Sequence, residues 1–209
     1  MYARSTCLAC SGGSRAGETT RRTSWWPLLA CVVGYLLVLA AWSAPGGATD
    51  DPPAPPEQST KAAFLYKFPA YVEWRQGTFA EPASPVVIGV LGAADVAEQL
   101  TAMAAARKAG ERPIEIRQLR AGDALEGVHV LFVGREQSGR VAGLAPAAQR
   151  RGILLVTDYD GALDDGSAIN LVVIDNRVRF EVSLGATEKS GLKLSSRMLS
   201  VALWVRPAG

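Results

Sequence analysis

R-V-R-F-E-V-S-L-G-A-T-E-K-S-G-L-K-L-S-S-R-M, residues 177–198, decides how this chain folds. Its first half alternates. Val178, Phe180, Val182 and Leu184 point one way, and Arg177, Arg179, Glu181 and Ser183 point the other. Period two is the mark of a strand with one buried face. The run I-N-L-V-V-I, residues 169–174, comes just before it, and only Asp175-Asn176 separates the two. Both residues tolerate positive φ, so a two-residue hairpin turn is predicted. The register breaks at Gly185 and again at Gly191. From Leu194 the apolar residues Met198, Val201, Ala202 and Val205 recur at helical spacing, which predicts a terminal helix.

Working outward, P-V-V-I-G-V-L-G (85–92) is a short apolar run ending in glycine, and 93–108 reads as a helix. Residues 114–119 alternate as a strand. Residues 128–133 and 153–157 are strongly apolar strands, and 140–150 is a helix that Pro146 is expected to break. Strands alternating with helices on short loops make a mainly parallel sheet covered on both faces. The predicted fold is therefore a single α/β domain. It has a mixed, mainly parallel sheet of about six strands in a Rossmann-like three-layer arrangement, with the 169–184 hairpin at one edge. Gly89-x-x-Gly92 lacks the third glycine and the distal acidic residue of the dinucleotide fingerprint.

The N-terminal part has a different character. Residues 25–42 are a continuous apolar run, preceded by Arg15, Arg21 and Arg22 and followed by small residues. That describes a secretory signal, or an N-terminal anchor if it stays uncleaved. Residues 1–48 are assigned to this segment and 49–59, with four prolines in five positions, to a linker that cannot pack a core. The domain proper is placed at 60–209. It opens on a helix over 61–74, capped by Ser59 or Thr60 and kinked or broken after Phe68 by Pro69. Its aromatic residues (Phe64, Tyr66, Phe68, Tyr71 and Trp74) read as core packing at amphipathic spacing.

The formal charge of +2 is uneven. Residues 1–48 carry four arginines against Glu18, a net +3, which leaves −1 for 49–209. A nearly neutral domain has no electrostatic footprint for nucleic acid. The cysteines, Cys7, Cys10 and Cys31, all precede the domain, so no internal disulfide is expected in it. His129, the single histidine, has no Cys or second His beside it and reads as structural. No G-x-S-x-G elbow occurs, and Ser195-Ser196 read as helix-start residues. Asp158-Tyr159-Asp160 and Asp164-Asp165-Gly166 flank a loop without calcium-loop spacing, although it lies beyond a strand's carboxyl end, where α/β folds bind ligands. Arg179 and Glu181 share the polar face of their strand. They form either an exposed ion pair or, with Asn170, Lys193 and Arg197, a recognition surface for a partner. No catalytic set, metal site or cofactor is expected.

Two motifs carry a resemblance. V-R-F-E-V-S at 178–183 and G-L-K-L-S-S-R-M-L at 191–199, together with K-A-A-F-L-Y-K-F at 61–68 and V-E-W at 72–74, resemble the YfiR family of periplasmic proteins across roughly 60–202. The resemblance implies a periplasmic, non-enzymatic regulator that represses an inner-membrane diguanylate cyclase. It would bind the cyclase's periplasmic sensor region and be relieved by an outer-membrane lipoprotein, with a homodimer as a further candidate assembly. The alternative is a periplasmic domain that senses or delivers a small molecule. Family members can carry domain cysteine pairs, which this chain lacks, so thiol control is not implied here.

Overall fold

The computed structural model describes residues 56–81, 83–106 and 112–209; the apolar run at 25–42, the cysteines and residues 49–55 lie outside them. Chain order gives α1 (Glu57–Lys67), a 3-10 turn (Phe68–Tyr71), β1 (Val72–Glu73), β2 (Val86–Leu91), α2 (Ala94–Ala105) and β3 (Ile114–Leu119). Then come β4 (Val130–Val133), a second 3-10 segment (Arg135–Arg140), α3 (Val141–Arg151), β5 (Leu154–Thr157), β6 (Ile169–Ile174) and β7 (Arg177–Ser183). The chain ends with α4 (Leu184–Lys189), β8 (Lys193–Leu194), α5 (Ser196–Leu199) and β9 (Trp204–Arg206).

Seven strands form one sheet in the order β3-β2-β4-β5-β6-β7-β9, and β1 pairs with β8 in a separate antiparallel ribbon. The first five are parallel. β2, β4 and β5 are buried at every residue, as strands covered on both faces must be. On one face α1 and α2 enclose Ile88, Phe132, Val156, Leu171 and Phe180. On the other, α3 covers Leu91, Leu131, Val133 and Leu155. This second helical layer stops at β5. The sheet is the mixed, mainly parallel α/β sheet expected, with one strand more than the six or so anticipated.

The hairpin is as the alternation predicts. Val178, Phe180 and Val182 are buried while Arg177 and Arg179 are exposed, and the turn residues Asp175 and Asn176 have φ 48° and 58°. Its place is not the sheet edge. The predicted terminal helix is reduced to the four residues of α5, and the chain then extends to pair β9 in parallel with β7. Backbone pairing wins here over apolar spacing. The outer edge of β7 offers unpaired groups, and the Leu203 N–H donates to the Phe180 carbonyl at 2.8 Å. Of the residues expected on the helix face, Met198 is buried but Val201 is exposed.

Three other expectations are corrected. α1 starts at Glu57, behind Pro56, so Ser59 and Thr60 are inside the helix rather than capping it. An acidic residue in the first turn suits the positive helix end. The helix also ends earlier: Pro69 turns the chain into the 3-10 segment and then β1. α3 runs unbroken through Pro146, because Pro146 and Ala142, whose carbonyl loses its N–H partner, both lie on the exposed side, within reach of water. Among the described residues no helix is long and apolar enough to cross a membrane.

His129 sits half-buried between strands. Its Nδ1 accepts the Val87 N–H at 3.0 Å, and its ring stacks on Phe79 at 4.7 Å. Burial, chiefly, pushes its pKa below the ordinary histidine value. A depressed pKa means that the unfolded chain binds the proton more readily. This contribution to stability is therefore complete above about pH 6.5 and is lost as pH falls through and below that value. Lowering the pH from 8 to 6 should reduce the urea midpoint more for the wild type than for His129→Asn, whose amide oxygen can accept the same bond without titrating. Equal losses in both would show that His129 does not contribute.

Candidate functional site

The side of the sheet that α3 leaves uncovered is set by register. Opposite residues of paired strands share a face, so Val172 lies beside Arg179, Ile174 beside Arg177, and Asn170, Glu181 and Trp204 form one rung across β6, β7 and β9. Trp204 is 46% exposed, Ile174 and Arg179 are exposed, and Glu181 and Val172 are half-buried. Apolar and charged side chains therefore stand together on a rigid surface, with Arg177 and Arg179 outnumbering Glu181. Arg206 bounds the patch. Its guanidinium lies 5.2 Å from the Trp204 ring and donates to Asp164 Oδ1 at 2.7 Å, tying β9 to the acidic loop.

The five residues expected to form one recognition surface are not brought together. Asn170 is only 1% exposed, and its Oδ1 accepts from the Thr157 hydroxyl at 3.0 Å and from the Tyr159 N–H at 3.2 Å. It is an internal strut that anchors the loop after β5. Arg179 and Glu181 stand on the open face, and among the described residues no ion pair joins them. Lys193, in the ribbon opposite Glu73, and Arg197, in α5, belong to segments that pack Leu192, Leu194 and Met198 into the core on the α1 side. Sequence reasoning missed Trp204, because helical spacing absorbed it. The signal available was the extended L-W-V-R run stopped by Pro207.

The acidic loop spends its groups internally. The Tyr159 hydroxyl donates to Asp165 Oδ2 at 2.7 Å, and burial, with Asp165 beside it, holds its pKa far above the usual phenol range. Asp164 meets Arg206, and Asp158 meets Lys61. Among the described residues no group of three or more His, Cys, Asp or Glu could hold a metal ion.

The YfiR/HmsC-like family model (DUF4154) matches residues 58–203. The chain belongs to this family. No curated protein matches it. Among solved structures, a conserved domain protein from Vibrio cholerae O1 biovar El Tor aligns with a TM-score of 0.53 at 12% identity, over 72% of this chain and 60% of that one. An ABC domain in complex with L-Trp from Streptococcus pneumonia aligns with a TM-score of 0.47 at 9% identity, over 71% of this chain and 60% of that one. The chain thus spans about three fifths of the length of each, and the first likeness is one of fold.

In this YfiR/HmsC-like domain the two resembling motifs meet in space. Phe64 and Phe68 of α1 close on Phe180 of β7, with ring centroids 5.5 and 5.4 Å away. Gly191 takes φ 64° and lies so close under Arg75 that a Cβ would collide with the guanidinium. Ser195 starts α5, as expected, its hydroxyl accepting from the Met198 N–H. The motif residues with these roles build the domain, and Arg179, Lys193 and Arg197 beside them are exposed.

Proposed function

We propose that this protein is an exported periplasmic regulator that binds the periplasmic sensor region of an inner-membrane diguanylate cyclase and lowers its cyclic-di-GMP output. The observation that carries this reading is the YfiR/HmsC-like match across 58–203. The protein acts by contact rather than catalysis, and an outer-membrane lipoprotein relieves it by competing for the regulator. The contact surface in this reading is the open face of β6, β7 and β9, where Trp204 is a large apolar anchor and Arg177 and Arg179 favour an acidic complement.

Repression requires the regulator to prefer one state of the sensor, since equal affinity for both shifts nothing. Moving a cyclase from half active to about one per cent takes roughly 2.7 kcal/mol of differential binding, at about 1.4 kcal/mol per tenfold. A few contacts suffice. Deleting the gene should raise cellular cyclic-di-GMP, and the wild-type gene should restore it. Arg179→Ala, an exposed change expected to alter stability by less than about 0.5 kcal/mol, should restore it poorly at normal periplasmic abundance. Arg197→Ala tests the opposite side of the sheet separately. Full repression by a stable Arg179→Ala protein would remove the open face from the mechanism. An unchanged cyclic-di-GMP level on deletion would remove the regulator reading itself.

A further inference from the structure

A second feature lies at the amino end of the parallel strands, away from the open face. β4 joins β2 from Val130, which pairs with Ile88. One position earlier, the Val87 carbonyl accepts the His129 N–H at 2.9 Å, so the Val87 N–H is turned toward β4 as well. Val87 is 6% exposed. The backbone before His129 does not meet this N–H, because the chain turns there: Gly127 has φ 72°, and the Val128 N–H donates to the Leu125 carbonyl. The His129 side chain supplies the missing acceptor, its Nδ1 taking the Val87 N–H at 3.0 Å. An imidazole that accepts at Nδ1 carries its proton on Nε2 and is neutral. The strand ladder therefore fixes both the tautomer and the orientation of this ring.

A surface strap hangs on it. Of residues 76–81, between β1 and β2, Gln76, Gly77, Ala80 and Glu81 are exposed, and Phe79 is the one large apolar side chain. The Phe79 ring stacks on His129, 20° from parallel, and Trp74 meets both rings edge-on at 5.8 and 6.0 Å. The Arg112 guanidinium lies over the Phe79 ring at 4.3 Å. The strap's own hydrogen bonds are local. The Thr78 N–H and hydroxyl both donate to the Arg75 carbonyl, and the Glu81 N–H donates to Ser84 Oγ. Phe79 also walls a groove of about 560 Å3 with Tyr71, Trp74, Arg112 and Ile114.

Protonation opposes this arrangement at two points. A proton on Nδ1 sets donor against donor at Val87 and leaves a buried amide without its acceptor. The Phe79 ring then lies against two cations, the imidazolium and Arg112. The other charges nearby are largely matched. Arg117 donates to the Glu126 carbonyl at 3.0 Å and pairs with Glu115 at 3.3 Å. Glu126 pairs with Arg151 at 2.9 Å, a hydrogen bond that holds its carboxyl below the usual range and keeps it ionised in mild acid. On the strap side Arg75 and Glu81 are exposed. Burial opposes the charged ring most; the Thr78 backbone favours it, and Arg112 and Arg117 oppose it. We propose that His129 is the catch of a pH-sensitive latch, which on taking up a proton releases the strap 76–81 and opens the groove wall while the sheet stays folded.

The latch does not depend on the partner reading. Because the chain has a single histidine, the full-length protein labelled with 15N-histidine gives one ring to follow by NMR. At pH 7.5 its proton should be on Nε2. A ring freed of these contacts titrates near pH 6.5, so the release of 76–81, read by hydrogen exchange corrected for its intrinsic rate, should grow toward about tenfold between pH 7.5 and 5.5. Exchange of β4 should change less than about twofold, since its ladder bonds do not titrate. Phe79→Ala gives the exchange of the released strap, and the wild type should move toward that level as the pH falls. In His129→Asn, whose amide accepts without titrating, the strap should show no such rise. A proton on Nδ1 at pH 7.5, unchanged strap exchange in the wild type, an equal rise in β4, or the same rise in His129→Asn would overturn the latch.

Discussion

Phe180→Ala is expected to cost about 3–5 kcal/mol of folding stability. Phe180 is 3% exposed and sits edge-on to both Phe64 and Phe68, which stack on each other at 5.8 Å. Truncation removes the transfer free energy of the ring, opens a cavity between β7 and α1, and breaks two aromatic contacts worth about 0.5–1.5 kcal/mol each. Domains of this size are held by only about 5–15 kcal/mol, so much of the margin goes. The urea midpoint should fall at unchanged slope. Phe180→Leu, which keeps most of the apolar volume, should cost clearly less, about 1.5 kcal/mol or under. In cells Phe180→Ala should lower the abundance of the protein, in contrast to Arg179→Ala, which should leave it intact. A loss below about 1 kcal/mol would mean that the three rings are not a unit of the core.

Lys61→Ala is the second large effect, also about 3–5 kcal/mol, and its origin is electrostatic. The substitution strands the Asp158 carboxylate at 7% side-chain exposure, with only Arg135, 3.8 Å away and itself mostly exposed, as a counter-charge. The cost is therefore that of an uncompensated buried charge rather than of lost apolar packing. Two comparisons separate these causes. Glu57→Ala removes the other carboxylate on Lys61, but Glu57 is 40% exposed, and that loss should stay under about 1 kcal/mol. Lys61→Met with Asp158→Leu removes both charges and should recover most of the stability, since well-packed apolar replacements of buried pairs are often neutral. If the double variant were as unstable as Lys61→Ala, the charge argument would fail and packing of the Lys61 stem would be the cause.

Much of this arrangement was legible in the chain. The period-two alternation of 177–183, the apolar runs of β2, β4 and β5, the Asp175-Asn176 turn and the break at Pro69 are local. Each follows from sterics and burial acting over a few residues, and each is present. The resemblance carried by the motifs at 61–68 and 178–199 led to the family that the match over 58–203 establishes. Its physical content is the Phe64–Phe68–Phe180 cluster, two amphipathic faces made to close on each other.

The misreadings share one cause. Apolar residues at helical spacing after Leu194 were ambiguous between a helix and an edge strand, and what decided was the unpaired backbone of β7, supplied from outside that segment. The helix bond that Pro146 removes is lost on the exposed side, where water can replace it, and exposure is a property of the fold. Asn170, Arg179, Glu181, Lys193 and Arg197 lie close in sequence, but strand alternation and the sheet itself divide them into an internal strut, an open face and an opposite side. Lys61 and Asp158 are 97 residues apart with no local sign of their pairing. The sequence by itself determined strands β2 to β7, the fold class and the family, because periodicity and turn chemistry act over a few residues. Only the tertiary structure decided the edge strand, the open face and the buried Lys61–Asp158 pair, because each depends on which distant groups meet and which are left without partners.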